Sequence, residues 1–316
     1  MSRPIVSVVV ATRDRPEMLD GCLASLRATL AETDELIVVD SASVGAAAVK
    51  AVVEANDARY VRCDVAGASL ARNVGWRAAR GDLVAFIDDD TRVRTGWVSA
   101  VVAAFDDERV DFVTGRLDHA NPDDPGPRPV AVYDNPDGFD IGPQTVEPYG
   151  HGANHAVRRA ALDHIGGFDE RLGAGGEFRA AEDVDLWDRL IGAGHVGRYV
   201  PEAVGWHVQW RRQRHYVGLD WSYGYGGGVR LAKLLRSDRP RARRSTRVLF
   251  WDWGARLTGR HLAYRQFFFA ALTVIRMSGV VVGFARGIVI PLDRGHLAPR
   301  RRRGAPLRGD RPADRP

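Results

Sequence analysis

The stretch Leu83-Val84-Ala85-Phe86-Ile87-Asp88-Asp89-Asp90 decides how the rest of this chain is read. Five apolar residues in a row, ended by carboxylates, make a short strand buried on both faces. Three adjacent carboxylates repel one another, so such a turn is stable only beside a cation or hydrogen-bond donors. Hard oxygen ligands at a strand end suit Mg2+ or Mn2+, which in turn hold phosphate oxygens. An Asp-x-Asp pattern alone is also a common solvated turn, so its surroundings carry the weight.

Upstream, residues 5–11 read as a buried strand. Asp14 and Glu17 then make a capping-box pattern, and Leu19, Cys22, Leu23, Leu26 and Leu30 follow at helical spacing. Residues 36–39 form a second strand ending at Asp40, residues 49–55 a helix, and residues 59–63 a third strand. Ser69 caps a helix carrying Leu70, Val74 and Ala78, closed by Gly81. Downstream come a helix near residues 97–105 and a strand at 112–114. This alternation predicts an α/β fold, a Rossmann-like mostly parallel sheet with helices on both faces. Ligands of such sheets bind beyond the carboxyl ends of the strands, where Asp40, Asp88, Asp89 and Asp90 stand.

Residues 118–150 are rich in Pro, Gly, Asn and Asp and read as irregular loop. Helices follow near 158–165 and 181–193, the second with Val184, Trp187, Leu190 and Ile191 as its buried stripe. A strand near 196–200 precedes Pro201. Residues 211–235 and 246–290 read as helical, joined by a polar segment at 237–245. From Ala298 onward the chain is Arg, Pro and Gly, and disorder is expected. The expected organisation is a body at 1–210, a helical appendage at 211–297 and a tail at 298–316.

The 316 residues carry +5 net charge, 45% hydrophobic and 27% charged residues, which excludes a wholly disordered or collagen-like chain. Cys22 and Cys63 make no disulfide framework or metal-ligand spacing, so a reducing cytoplasm fits. The charge is split. Residues 241–316 hold 17 Arg, no Lys and 4 Asp, a balance of +13, which leaves −8 for residues 1–240. An acidic body with a basic tail points to a cation-using site in the body and an anionic surface as the tail's partner.

Three further groups carry chemistry. Glu182-Asp183, with Asp185, opens a helix after the glycine-rich residues 173–176. First-turn carboxylates suit the helix dipole in any protein, but one beside a flexible segment can also take a proton from an attacking hydroxyl. His207 follows a predicted strand; a lone His is usually structural, yet it can share a metal with Asp90 if the fold joins them. Arg72-Asn73 lies on the polar side of the Ser69 helix.

The ordered set Val8-Val9-Val10-Ala11-Thr12-Arg13-Asp14-Arg15-Pro16, Ile37-Val38-Val39-Asp40-Ser41, Ala71-Arg72-Asn73-Val74-Gly75, Phe86-Ile87-Asp88-Asp89-Asp90, Gly152-Ala153-Asn154, Gly166-Gly167-Phe168-Asp169-Glu170, Glu182-Asp183-Val184-Asp185-Leu186 and His207 resembles that of a family 2 glycosyltransferase of the inverting, bacterial type with a GT-A fold. The resemblance covers about residues 4–210, and the tract from Tyr223 to Gly228 resembles a helix entry that follows this domain in bacterial members. It implies transfer of a sugar from a nucleotide-diphosphate donor to a hydroxyl acceptor, a glycan, lipid-linked sugar or small molecule. Thr12 and Arg13 would line the nucleotide pocket. Asp40 would contact the base or ribose, as would Arg72 at the pyrimidine edge, favouring UDP- or dTDP-sugars. Asp88 and Asp89 would serve the donor, and Asp90, Asp88 and His207 would hold Mn2+ or Mg2+. Asp183 would be the general base; Asn154, Glu182 and Trp187 would lie on the acceptor side, although Trp187 also fits the buried stripe. A cation-stabilised diphosphate leaves without a general acid, so one catalytic carboxylate suffices where glycoside hydrolases need two.

Two other classes compete. A sugar-nucleotide nucleotidyltransferase would carry a glycine-rich basic loop after the first strand, where this chain has Ala11-Thr12-Arg13-Asp14-Arg15-Pro16. A non-catalytic nucleotide- or glycan-binding scaffold would lack the metal or base carboxylate, yet Asp90 and Asp183 are present. For residues 241–316 the readings are attachment to an anionic membrane at the inner face of the plasma membrane, a helical cap on the body or a second subunit, and nucleic-acid binding. The third is disfavoured because no nucleic-acid module accompanies the arginines. Residues 266–292 are strongly apolar but interrupted by Arg276 and Arg286, with nine uncharged residues between them. A spanning helix needs ~20 apolar residues, so a helix in the membrane interface or packed on the body is expected.

Overall fold

The computed structural model describes residues 3–120 and 132–299. A nine-stranded sheet forms its centre. β1 (Val6–Thr12), α1 (Pro16–Arg27), β2 (Glu35–Ser41), α2 (Ala46–Ala55), β3 (Arg59–Cys63), α3 (Ala68–Ala78) and β4 (Leu83–Asp88) alternate as expected. Their four strands pair in parallel, in the order β3-β2-β1-β4. Next in the chain come β5 (Thr91–Val93), α4 (Trp97–Ala104), β6 (Val110–His119), β7 (Phe139–Ile141), β8 (Asn154–Arg158), α5 (Arg159–Ile165), α6 (Glu182–Gly192) and β9 (Val196–His207). β8 runs antiparallel between β4 and β6, β9 parallels β6, and β5 and β7 flank β9 antiparallel.

Strand periodicity divides the core. Val8 and Val10 pack with Leu19, Leu23 and Leu26 of α1 on one face. Val9 and Phe86 pack with Trp76, Phe168, Trp187 and Leu190 on the other. Two expected caps do not form. The α1 end opens on Pro16 without a side-chain cap; Asp14 instead accepts the N–H groups of Val44 and Gly45 at 2.7 and 3.1 Å. Ser69 lies inside α3 and donates to the Leu172 carbonyl at 2.8 Å. The loop expected at 118–150 contains β7, and the expected disordered tail lies, beyond Pro299, outside the described residues.

After β9 the chain is helical: α7 (Tyr216–Ser237), α8 (Arg239–Arg247), a π-type stretch (Val248–Arg256), α9 (Leu257–Ala263) and α10 (Phe267–Ile288). The segment expected as a polar joint is thus α8, started by Asp238, whose carboxylate accepts the Arg241 N–H at 3.0 Å. α10 is long and apolar enough to cross a membrane by length and composition. It nevertheless packs side by side with α7 through glycines. Gly224 and Gly228 face the backbone of Arg276 and Val280, while Gly279 and Gly283 face that of Trp221 and Tyr225, leaving no room for a Cβ.

This helical cap is tied to the sheet domain by buried ion pairs. Arg230 bridges Asp188 and Glu147, the latter at 2.6 Å. Arg241 meets Asp188 at 2.6 Å and the Tyr149 hydroxyl at 2.9 Å. Lys233, one of two lysines in the chain, sits 2.6 Å from both Asp169 and Asp185. Part of the acidic body's partner is therefore the chain's own C-terminal region.

Burial would raise the Glu147 carboxyl, but the Arg230 charge and hydrogen bonds from Arg230 and Ser245 take it down to about 2, from 4.5. A depressed carboxyl stabilises the fold fully above the unfolded value of 4.5 and loses that contribution as pH falls toward 2. Glu147→Gln should therefore cost roughly 3–5 kcal/mol in urea denaturation at pH 7, since it strands part of a buried pair. The gap from the wild type should close between pH 4.5 and 2; a gap independent of pH would contradict the ion-pair account.

Candidate active site

A cavity of about 610 Å3 opens at the carboxyl ends of β1 and β4. Thr12, Arg13, Ser41, Gly67 and Ala68 line one end; Arg72, Asp88, Asp90, Asp183 and His207 line its middle; residues of α7, the π-type stretch and α10 close the far end.

Arg72 organises the middle. From the buried face of α3 its two terminal nitrogens donate to Asp88 at 2.7 Å and to Glu182 at 2.8 Å. One guanidinium fork thus joins the end of β4 to the first turn of α6. Burial would raise Asp88, but the Arg72 charge and hydrogen bond, with His151 and His207 nearby, hold it at about 2. For Glu182, burial and the neighbouring Asp183 outweigh Arg72, and its carboxyl is raised. Asp89 turns away: Thr12 donates to it at 2.7 Å and Arg15 at 3.0 Å. Burial, together with Asp90 and Asp88, lifts Asp89 to about 6 against the pull of Arg15 and Thr12.

Asp90 is buried. Its Oδ2 accepts the Trp210 indole N–H at 2.8 Å, while Oδ1 has no hydrogen-bond partner. His207 Nε2 stands 3.4 Å from that oxygen. A buried carboxylate oxygen without a donor is costly, and a divalent cation is one group that satisfies it. Among the described residues no group of three or more His, Cys, Asp or Glu side chains is assembled for a metal. The donor set therefore fits a cation held by one or two protein ligands and completed by phosphate and water.

Asp183 enters from the start of α6, where Ala181 adopts a left-handed conformation with φ 69°. Its Oδ2 accepts the Gly152 N–H at 2.9 Å and its Oδ1 the Val184 N–H at 2.8 Å. A Cβ on Gly152 would fall 2.5 Å from that carboxylate, so glycine is required there. His155 faces the Gly152 carbonyl through Nδ1 at 2.9 Å. Its proton belongs on Nδ1, since a carbonyl only accepts.

The cavity therefore brings together Thr12, Arg13, Arg72, Asp88, Asp89, Asp90, Glu182, Asp183, Trp187 and His207. Three expectations change. Asp40 does not line the cavity; it is buried and accepts from Ser43, Tyr60 and Arg62. Arg72 does line the cavity, but each of its terminal nitrogens donates to a carboxylate, Asp88 or Glu182, rather than standing alone at a base edge. Asn154 is a scaffold: it accepts from Trp97 and donates to the carbonyls of Arg116 and Ala203, each at 2.8 Å. Trp187 is fully buried yet borders the cavity, and its indole N–H has no hydrogen-bond partner. The site also includes Arg15, His151 and Tyr223, with Trp210 beside them, to which the sequence alone assigns no role. Arg15 stacks 4.3 Å over Trp210 and pairs with Asp89, so the only local signal was a Trp-Arg-Arg run soon after His207.

A family model described as glycosyl transferase family 2 matches residues 7–166, and the chain belongs to that family. The pre-mycofactocin glycosyltransferase of Mycobacterium tuberculosis is 32% identical over 235 residues, 69% of this chain and 46% of that protein. The chain thus spans about half the length of this relative. A mannosyltransferase from Pyrobaculum calidifontis, solved with GDP-Man and Mn2+, superposes with TM-score 0.65 at 18% identity over 90% of this chain and 88% of that one. S. aureus TarS residues 1–349 with UDP gives 0.56 at 15% identity over 90% of each chain. These likenesses show the GT-A fold with a helical C-terminal region.

Proposed function

We propose that the chain transfers a sugar, with inversion, from a nucleoside-diphosphate sugar to a hydroxyl acceptor. The observation that carries this reading is Asp183, fixed by the Gly152 N–H in the cavity that also holds Asp88, Asp90 and His207. The acceptor hydroxyl gives its proton to Asp183 as its oxygen bonds to the anomeric carbon. The bond from that carbon to the diphosphate breaks on the opposite face, and the electron pair leaves with the phosphate. One carboxylate serves, because the diphosphate departs without protonation.

Asp90 and His207, with Asp88 beside them, are the residues that would hold Mn2+ or Mg2+, and the partnerless Asp90 oxygen supports this. Such a cation, when bound, would neutralise charge on the departing diphosphate. Solved relatives of this fold with Mn2+ and GDP-Man, or with UDP, support the donor class. UDP- and dTDP-sugars are the donors to test first, and the products would be a surface glycan, a glycolipid or a glycosylated metabolite.

Asp183→Asn should lower transfer by roughly 10²–10⁴-fold with nucleotide binding unchanged; wild-type turnover would reject the base assignment. Asp90→Ala should abolish the gain in nucleotide affinity that Mn2+ gives the wild type, measured by thermal shift. Equal wild-type affinity with and without Mn2+ would reject the metal role.

A membrane reading is supported by the outer face of the cap. Trp251, Phe267 and Tyr264 are exposed beside exposed Arg247, Arg256, Arg260 and Arg265. Exposed aromatic rings and arginines along one stretch of chain suit an anionic lipid interface. Trp251→Ser with Phe267→Ser should weaken sedimentation with phosphatidylglycerol vesicles about tenfold or more, each ring contributing roughly 1.5–3 kcal/mol if fully buried. Unchanged sedimentation would reject the reading.

A further inference from the structure

The two ends of the cavity differ in chemistry. The middle is charged, and the far end adds a mainly apolar wall of Leu219 and Tyr223 of α7, Val248, Leu249 and Trp253 of the π-type stretch, and Val280 of α10, with Arg230 and Arg276 as cations among them. The diphosphate and sugar of a nucleoside-diphosphate sugar are polar and gain little from such a wall. Whatever group reaches Asp183 from the far side lies against it. The wall also runs outward: Trp253 is partly exposed and stands near Phe250 and Trp251 in the chain, which are exposed as well.

The glycines of α7 sharpen the point. Gly224 abuts the Arg276 backbone, Gly226 the Ala180 carbonyl and Gly228 the Val280 carbonyl, so close packing accounts for each. Gly227 borders the cavity, and a Cβ there would meet nothing within 4 Å. A glycine inside a helix costs about 1 kcal/mol relative to alanine. No neighbour requires this one; what it preserves is open space in the apolar end.

Resting on the transferase reading above, we propose that this end is the acceptor subsite and that the acceptor is amphipathic. Its hydroxyl lies at Asp183 and an alkyl or aryl body lies against Leu219, Tyr223, Leu249 and Trp253, over Gly227. Such a body belongs either to a free alkyl or aryl glycoside or to a glycolipid held in a bilayer.

The test uses the full chain, wild type and Gly227→Phe, with Gly227→Val as a smaller filler should the first fail to fold. Octyl β-D-glucoside below its micellar concentration probes the free source. A monoglucosyl lipid in phosphatidylcholine vesicles probes the bilayer source, and methyl β-D-glucoside is the polar control. UDP and GDP with Mn2+ are titrated on every variant. The octyl glucoside should bind the wild type at least about tenfold more tightly than the methyl glucoside, as burial of an alkyl chain predicts. The filled variant should lose that advantage while nucleotide affinity stays within about twofold. A loss confined to the vesicle probe supports the same subsite and assigns the bilayer source. Two results overturn the subsite alone: equal binding of octyl and methyl glucosides with no vesicle binding, or filled variants that bind every probe as the wild type does. A wild type that binds no nucleoside diphosphate overturns the transferase reading itself, and the subsite with it.

Discussion

Arg72 spans a gap that the chain takes 110 residues to close, between its own helix and Glu182 at the start of α6. Its other arm holds Asp88 at the end of β4. The three groups are mutually dependent: removing the guanidinium would leave two carboxylates facing one cavity, a costly arrangement in a desolvated setting. Asp183 follows Glu182 directly, and Asp90 follows Asp88 after one residue. The Arg72 fork therefore fixes the distance between the carboxylate proposed to accept a proton and the group proposed to hold the phosphate end of the donor.

The same logic, on a larger scale, attaches the C-terminal helices. Asp185 and Asp188 on α6 face Lys233, Arg230 and Arg241, while Asp183 faces the cavity. One helix thus presents its first turn to the site and its next turns to the cap. Of these three cations only Arg241 belongs to the basic segment 241–316; Arg230 and Lys233 lie within residues 1–240. The cap also forms the apolar end of the cavity, so the element that looked like an appendage completes the site.

The first half of the fold was legible because parallel strands buried on both faces read as unbroken apolar runs. β8 was not, because its buried residues include the polar Asn154 and His155, which break the apolar run; Asn154 donates to the Ala203 carbonyl and His155 faces that of Gly152. β9 continues past Pro201 because the pairing with β6 skips from Val200 to Val204, a bulge that accommodates the proline. In the site, the carboxylates at 88–90, Asp183 and His207 could be nominated from strand ends and a helix start. The fate of Asp40 could not, since its partner Arg62 lies opposite it on β3 only through sheet register. Arg15 and Trp210 stand just past the ends of β1 and β9 and meet Asp89 and Asp90 only because the sheet brings those ends together.

The claim that Arg72 sets the geometry of transfer is tested most directly by the turnover of Arg72→Lys with its nucleotide affinity measured alongside. Lysine keeps the charge but has no planar fork with which to grip two carboxylates. A displacement of about 1 Å at a reacting group costs on the order of 10²-fold in rate, so the account predicts a folded enzyme with kcat reduced to that extent. An Arg72→Lys enzyme turning over at the wild-type rate would contradict it.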